Sequence, residues 1–160
     1  MKTNFVYPDK ENNKVEASFG IIRAIYEDEK KKITKKLPRI TQQHIYPNNF
    51  DKMKVKFATQ VLSNTTASAI RAVCDDTNDD LFNQNDIVKF ALPTAYLCEM
   101  FNNCFDCLNK FKIINKELQG TKPGFINAYN FLKYDMLKFL LSLEYNCTKI
   151  IIWNSVFYSI

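Results

Sequence analysis

The chain has 160 residues, 46% of them hydrophobic, with three glycines and five prolines. That composition suits one domain with a real core and excludes a turn-rich all-β architecture. The formal net charge is +5, no apolar run approaches the roughly 18 residues of a membrane span, and Met1–Lys14 is too polar for a targeting signal.

Met1–Asn13 is polar and predicts an irregular lead-in over residues 1–14. From Lys14 to Lys31, Val15, Phe19, Ile22, Ile25 and Tyr26 recur every three or four residues and predict an amphipathic helix. Lys32–Pro47 is a connector punctuated by Pro38 and Pro47. Asn48 or Asn49 is placed to cap a helix from Phe50 to Cys74, with a stripe of Phe50, Met53, Phe57, Val61, Thr65 and Ala69. Asp75–Asn85 is an acid-rich loop. An apolar segment starts at Asp86 or Ile87, and Pro93 is expected to interrupt it, with Thr94 capping a fresh helix from Ala95 to Lys110. The core side of that helix is Leu97, Phe101, Phe105 and Leu108. Gly120, Pro123 and Gly124 mark a loop, and Phe125–Tyr145 reads as a helix with Tyr129, Leu132, Met136, Phe139, Leu140 and Leu143 on one face. Residues 148–160 form an apolar tail. The predicted fold is mostly α, a compact bundle of four to five helices spanning residues 15–147.

Charge is unevenly spread. Residues 30–56 hold nine basic side chains, including Lys30, Arg39, Lys52, Lys54 and Lys56, against Asp51 alone. Such a stretch attracts phosphate or nucleic acid through Coulomb forces, or is simply solvated. The aspartates between Asp75 and Asp86 read as solvated loop acids. The five cysteines, an odd number, suit a reduced intracellular protein. Cys104 and Cys107 lack a second ligand pair for zinc. His44, the single histidine, sits between prolines and reads as packed or capping rather than catalytic. No Walker-type glycine loop is present.

Phe105, Asp106 and Asn109 lie three and four residues apart near a helix end, so they can share one side. An ionised Asp only accepts hydrogen bonds. It therefore suits the paired N–H donors on the Watson–Crick edge of guanine, whereas adenine presents an acceptor there. Phe105 offers a stacking face. Lys54 borders the apolar stripe, so its stem can lie on the core edge while the ammonium reaches a phosphate. Val55 can pack on a base or ribose, and Arg39 can fork onto phosphate oxygens. By spacing alone these residues read first as a core Phe beside an exposed Asp, and as a solvated lysine face.

The series Leu37-Pro38-Arg39-Ile40, His44–Phe50, Lys52-Met53-Lys54-Val55-Lys56-Phe57, Thr94-Ala95-Tyr96 and Phe105-Asp106-Cys107-Leu108-Asn109 resembles the GTP-binding insertion domain of P-element-type transposases, the family of the THAP-domain transposases. The likeness extends upstream to Phe19–Ile22 and Tyr26. It implies GTP as a cofactor, with magnesium possible, held by Arg39, Lys54, Val55, Phe105, Asp106 and Asn109. In that family GTP is a structural cofactor that positions DNA, and the insertion interrupts a ribonuclease-H-like core. The flanking core halves with their catalytic acids have no counterpart in the sequence, so the expectation is a non-enzymatic, nuclear fragment or domesticated remnant. Its expected partners are guanine nucleotide, DNA through residues 30–56, and the remainder of a transposase encoded elsewhere. The alternative is a helical module that contacts protein or the DNA backbone and has no nucleotide site.

Overall fold

The computed structural model describes residues 4–9, 11–30, 32–75, 85–114 and 123–146. The tail at 148–160 and most of the acidic loop lie outside the described residues.

The chain opens with an antiparallel hairpin of β1 (Asn4–Pro8) and β2 (Lys14–Ser18), with Phe5 opposite Ala17 and Tyr7 opposite Val15. The Asp9 carboxylate shapes the turn by accepting from the backbone N–H groups of Glu11 and Asn13, both at 2.9 Å. Asn12 adopts a left-handed φ of 65°, which asparagine tolerates better than most residues. A third strand, β3 (Glu144–Asn146), pairs with the other edge of β1, giving the order β2-β1-β3. The expected irregular lead-in is therefore strand over residues 4–8, and the predicted helix does not begin at Lys14. Phe5, Tyr7, Val15 and Ala17 alternate along the hairpin and pack into one cluster. That is the period-two pattern of a half-buried sheet, and the four-residue spacing of Val15 and Phe19 merely mimics a helix.

Helix α1 (Phe19–Glu29) starts where Ser18, still extended, accepts from the Gly20 N–H through its side chain. Its Ile21, Ile22 and Ile25 are buried. The connector contains the short α2 (Gln42–Ile45) and a 3₁₀ turn at Asp51–Met53. The helix predicted over Phe50–Cys74 is two helices, α3 (Val55–Val61) and α4 (Asn64–Asp75). The break at Leu62–Ser63 is a cap: the Ser63 hydroxyl accepts from the Thr66 N–H at 3.3 Å, and the Thr66 hydroxyl bonds the Gln60 carbonyl. Past the break Thr66, Ala67, Ala69, Ile70 and Val73 are buried while Thr65 faces solvent, and Phe50 and Met53, at the 3₁₀ turn ahead of α3, are exposed as well.

Helix α5 (Asn85–Ile114) runs straight through Pro93 and does not restart at Thr94. Proline removes one backbone donor from the ladder. The buried Thr94 hydroxyl bridges the site: it donates to Phe90 O at 2.6 Å and accepts from the Ser18 N–H at 2.9 Å. Tyr7 adds a third tie by donating to Pro93 O at 2.7 Å.

The last helical run comprises α6 (Pro123–Asn130), a π-helical stretch at Phe131–Met136 and α7 (Leu137–Ser142). The wider π turn shifts the predicted face. Met136 and Phe139 are buried, whereas Tyr129 and Leu140 are exposed. Proline at the first position of α6 suits a helix start.

Among the described residues two clusters make the core, and α5 serves both. Ala91, Ala95 and Cys98 pack with α1, the connector, α3 and α4. Leu97 and Met100 pack with Tyr7, Ala17, Met136 and Phe139. Arg71 on α4 donates to both carboxylate oxygens of Glu99 on α5 through its two terminal guanidinium nitrogens. The fold is mostly α, as the stripes predict.

Candidate functional site: the basic connector and the acidic end of the long helix

Leu37–Ile40 is a tight turn closed by Ile40 N–H donating to Leu37 O at 3.1 Å, with Pro38 at its first central position. Leu37 and Ile40 are buried and pin the turn from both sides. Arg39 sits between them, exposed and with no hydrogen bond or ion pair among the described residues. The buried Glu29 carboxylate holds the approach to this turn. It accepts from the Lys36 N–H at 2.6 Å and the Leu37 N–H at 3.0 Å. Glu29 has no signal in the helical pattern, where it reads as one more charged residue at a helix end.

His44 is buried and caps α2. Its Nδ1 accepts from the Thr41 N–H at 3.0 Å, and Nε2 lies 2.9 Å from Gln60 Oε1. An accepting Nδ1 leaves the proton on Nε2 to donate to that amide oxygen. The ring also packs against Phe57 with centroids 4.6 Å apart. Packing and capping, both expected, are what this histidine does.

Lys54 is the N-cap residue of α3. Its ammonium is 2.8 Å from Asp51 Oδ1 and 5.1 Å from the Phe57 ring centroid. The hydrogen bond from Lys54 holds the Asp51 carboxyl below its usual range. The cation expected to await a phosphate is therefore already paired, though about half of its side chain stays exposed. Val55 follows it with 69% of its surface exposed, next to the similarly exposed Met53 and Phe50. An apolar side chain left so open has room for a ligand to cover it. Elsewhere in the basic stretch, Lys30 pairs with Glu27 and Lys32 with Asp28. Lys35, Arg39, Lys52 and Lys56 carry no ion pair among the described residues.

On α5, Phe105 is half-buried, and Asp106 and Asn109 are exposed. Asp106 Oδ2 accepts from Asn102 Nδ2 at 2.8 Å. Asn102 in turn accepts the first N–H of α4, at Asn64, through its Oδ1 at 3.2 Å. Asn102 is thus fixed at both ends: it aims the Asp106 carboxylate and ties it to the α3–α4 junction. Its four-residue spacing from Asp106 was the available signal. The Cys98 thiol reaches Val61 O across the same junction. Helix α3 therefore presents its C-terminal end to α5, while Lys54 and Val55 stand at its other end, with no direct bond from Arg39, Lys54 or Val55 to Phe105, Asp106 or Asn109 among the described residues.

Among the described residues no group of three His, Cys, Asp or Glu side chains is placed to hold a metal ion, and no helix is long and apolar enough to cross a membrane. Cys74, Cys98, Cys104 and Cys107 are all thiols.

A family model described as the TNP-like, GTP-binding insertion domain matches residues 4–121, and the chain belongs to that family. It is also 39% identical over 85 residues to the Transposable element P transposase of Drosophila melanogaster. That match covers 53% of this chain and 10% of that protein, so the chain spans a small part of its relative's length. No solved structure matches the chain.

Proposed function

We propose that this domain binds guanine nucleotide, with GTP as the expected ligand. The observation that carries the reading is the Asp106 carboxylate, exposed to solvent yet held in place by Asn102. One oxygen already accepts a hydrogen bond, and ionised carboxylates have lone pairs for several more. The remaining capacity suits the two adjacent N–H donors of guanine. Phe105 would lie against the base and Asn109 would bond a base or sugar oxygen. Arg39, which carries no hydrogen bond or ion pair among the described residues, would meet phosphate oxygens. Val55 would gain cover from the ribose or base, and Lys54 would exchange Asp51 for phosphate. Magnesium would enter with the nucleotide, held mainly by phosphate oxygens and water. The family description supports this assignment, and the basic connector favours an anionic ligand.

The role is one of binding rather than bond cleavage. The matched model is that of an insertion domain and not of a catalytic core. Placing DNA or further transposase segments against the bound domain, in a nucleus, extends the same proposal.

The test is calorimetric titration of the 160-residue chain with GTP and ATP, each with and without magnesium. The expected result is binding of GTP with weaker binding of ATP. Asp106→Ala should erase that preference, a change of about 10- to 100-fold given the strength of hydrogen bonds to a charged acceptor. Equal weak binding of both nucleotides by the unaltered chain overturns the proposal. DNA binding that ignores GTP and falls steeply with salt would favour a backbone-contact module instead.

A further inference from the structure

A cleft of about 850 Å³ opens between the hairpin, the middle of α5 and the π-helical stretch, and none of the six proposed nucleotide residues lines it. Its apolar lining combines Val15, Leu92 and Met100 with a group of aromatic rings. Tyr7 stacks on Tyr96 with centroids 5.7 Å apart, and both meet Phe139 edge-on at 5.3 and 6.1 Å. Phe131 adds a further ring to the lining. Tyr7 is buried and its hydroxyl already bonds Pro93 O, so it is fixed in place. Tyr96 is more than one-third exposed.

The polar groups of this cleft are unequal. Asp9 contributes a carboxylate whose Oδ1 is taken by the hairpin turn. Asp135 is exposed and has no hydrogen bond or ion pair among the described residues, and Lys138, one turn later, makes no ion pair with it. Burial raises the Tyr96 phenol above its ordinary range, and the negative charge of Asp135 adds to the shift, which puts that carboxylate within electrostatic reach of the ring.

We propose that this cleft binds an organic cation with a flat body, of the guanidinium or amidinium type, lying against the aromatic rings with its charge directed to Asp135. Ring faces attract cations through their quadrupole, and a planar cation meets a carboxylate with two hydrogen bonds. Among the described lining residues two carboxylates stand against one ammonium, which disfavours an anion here and makes the site chemically distinct from a phosphate site. A small molecule or an arginine side chain of a polypeptide would both supply the group.

The experiment uses three probes of one shape on the full chain: benzamidinium, neutral benzamide and anionic benzoate. Binding is read by calorimetry and by shifts of the tyrosine ring resonances. The expected result is benzamidinium binding about fivefold or more tighter than benzamide, with benzoate weakest. Asp135→Asn should bring the benzamidinium and benzamide affinities together while circular dichroism stays unchanged. Tyr96→Ala should weaken both. A short arginine peptide that displaces benzamidinium assigns the natural group to a polypeptide, and failure to displace it assigns a small molecule. No binding of any probe, equal binding of benzamidinium and benzamide, or a preference that survives Asp135→Asn overturns the proposal. These outcomes are independent of the GTP titration, because no probe carries a phosphate and neither substitution touches the residues proposed for nucleotide.

Discussion

Asn102 and Glu29 do much of the positioning although neither carries a motif. Asn102→Ala should lower the preference for GTP less than Asp106→Ala does, because the carboxylate remains but loses its tether. It should also unpair the first N–H of α4 and cost roughly 1 kcal/mol in urea unfolding. Glu29→Ala removes the acceptor of two backbone N–H groups around the Leu37 turn. A loss of about 2 kcal/mol or more is expected from urea unfolding, since the Leu37 N–H is buried. Weakened nucleotide binding should accompany it if Arg39 depends on that turn. The sequence points to Lys54 as a cation on the edge of a stripe, but not to its engagement with Asp51. The three-residue spacing of that pair is visible only once Asp51 is known to begin a 3₁₀ turn. His44 was readable because a lone histidine among prolines has few other uses.

Element boundaries were legible where local chemistry decided them and obscure where distant contacts did. The α1 stripe of isoleucines needed nothing beyond its neighbours, whereas the start at Ser18 was hidden because Val15, on the preceding strand, keeps a helical spacing to Phe19. Pro93 is the opposite case. Local propensity ends a helix there, and residues far away in sequence carry it through. Thr94 and Tyr7 tie the hairpin to α5 at that point. Thr94→Val keeps the shape but removes the hydroxyl that links Ser18 N–H and Phe90 O. The half-buried Ser18 link is then broken, and a destabilisation of about 1–3 kcal/mol should appear in chemical unfolding. Amide exchange should rise first in β2 and in the turn of α5 around Pro93. The split between α3 and α4 was hidden because Phe57, Val61, Thr65 and Ala69 keep a four-residue spacing across it, and the Ser63 cap competes with that spacing only through its own side chain. The π stretch left no mark on a pattern read with a 3.6-residue period.

At the scale of the molecule, the two core clusters meet on one helix, so α5 couples them. Two ionisable groups at this meeting place keep their protons unusually well. Burial pushes the Cys98 thiol from 9.0 to about 12. Burial, reinforced by Tyr96, raises the Tyr7 phenol well above the ordinary phenol range. The unfolded chain releases these protons earlier than the folded chain. The contribution of the thiol is therefore whole below its unfolded value of 9.0 and is lost as pH climbs toward 12. The Cys98 contribution to the slope is about 1.4 kcal/mol per pH unit within that window. Urea midpoints measured at pH 8, 9.5 and 10.5 should fall in that order, and Cys98→Ala should flatten the decline in part. A flat profile in the unaltered chain would contradict the burial of these groups.

Asn4 pairs with Ser18 on one side of its strand and with Asn146 on the other. Paired residues on adjacent antiparallel strands lie about 5 Å apart. A polypeptide that enters this unit at residue 4 and leaves it at residue 146 passes through a single doorway. Lodging such a unit between two segments of a larger fold separates them by little more than a hairpin does, so the host closes around it at small entropic cost.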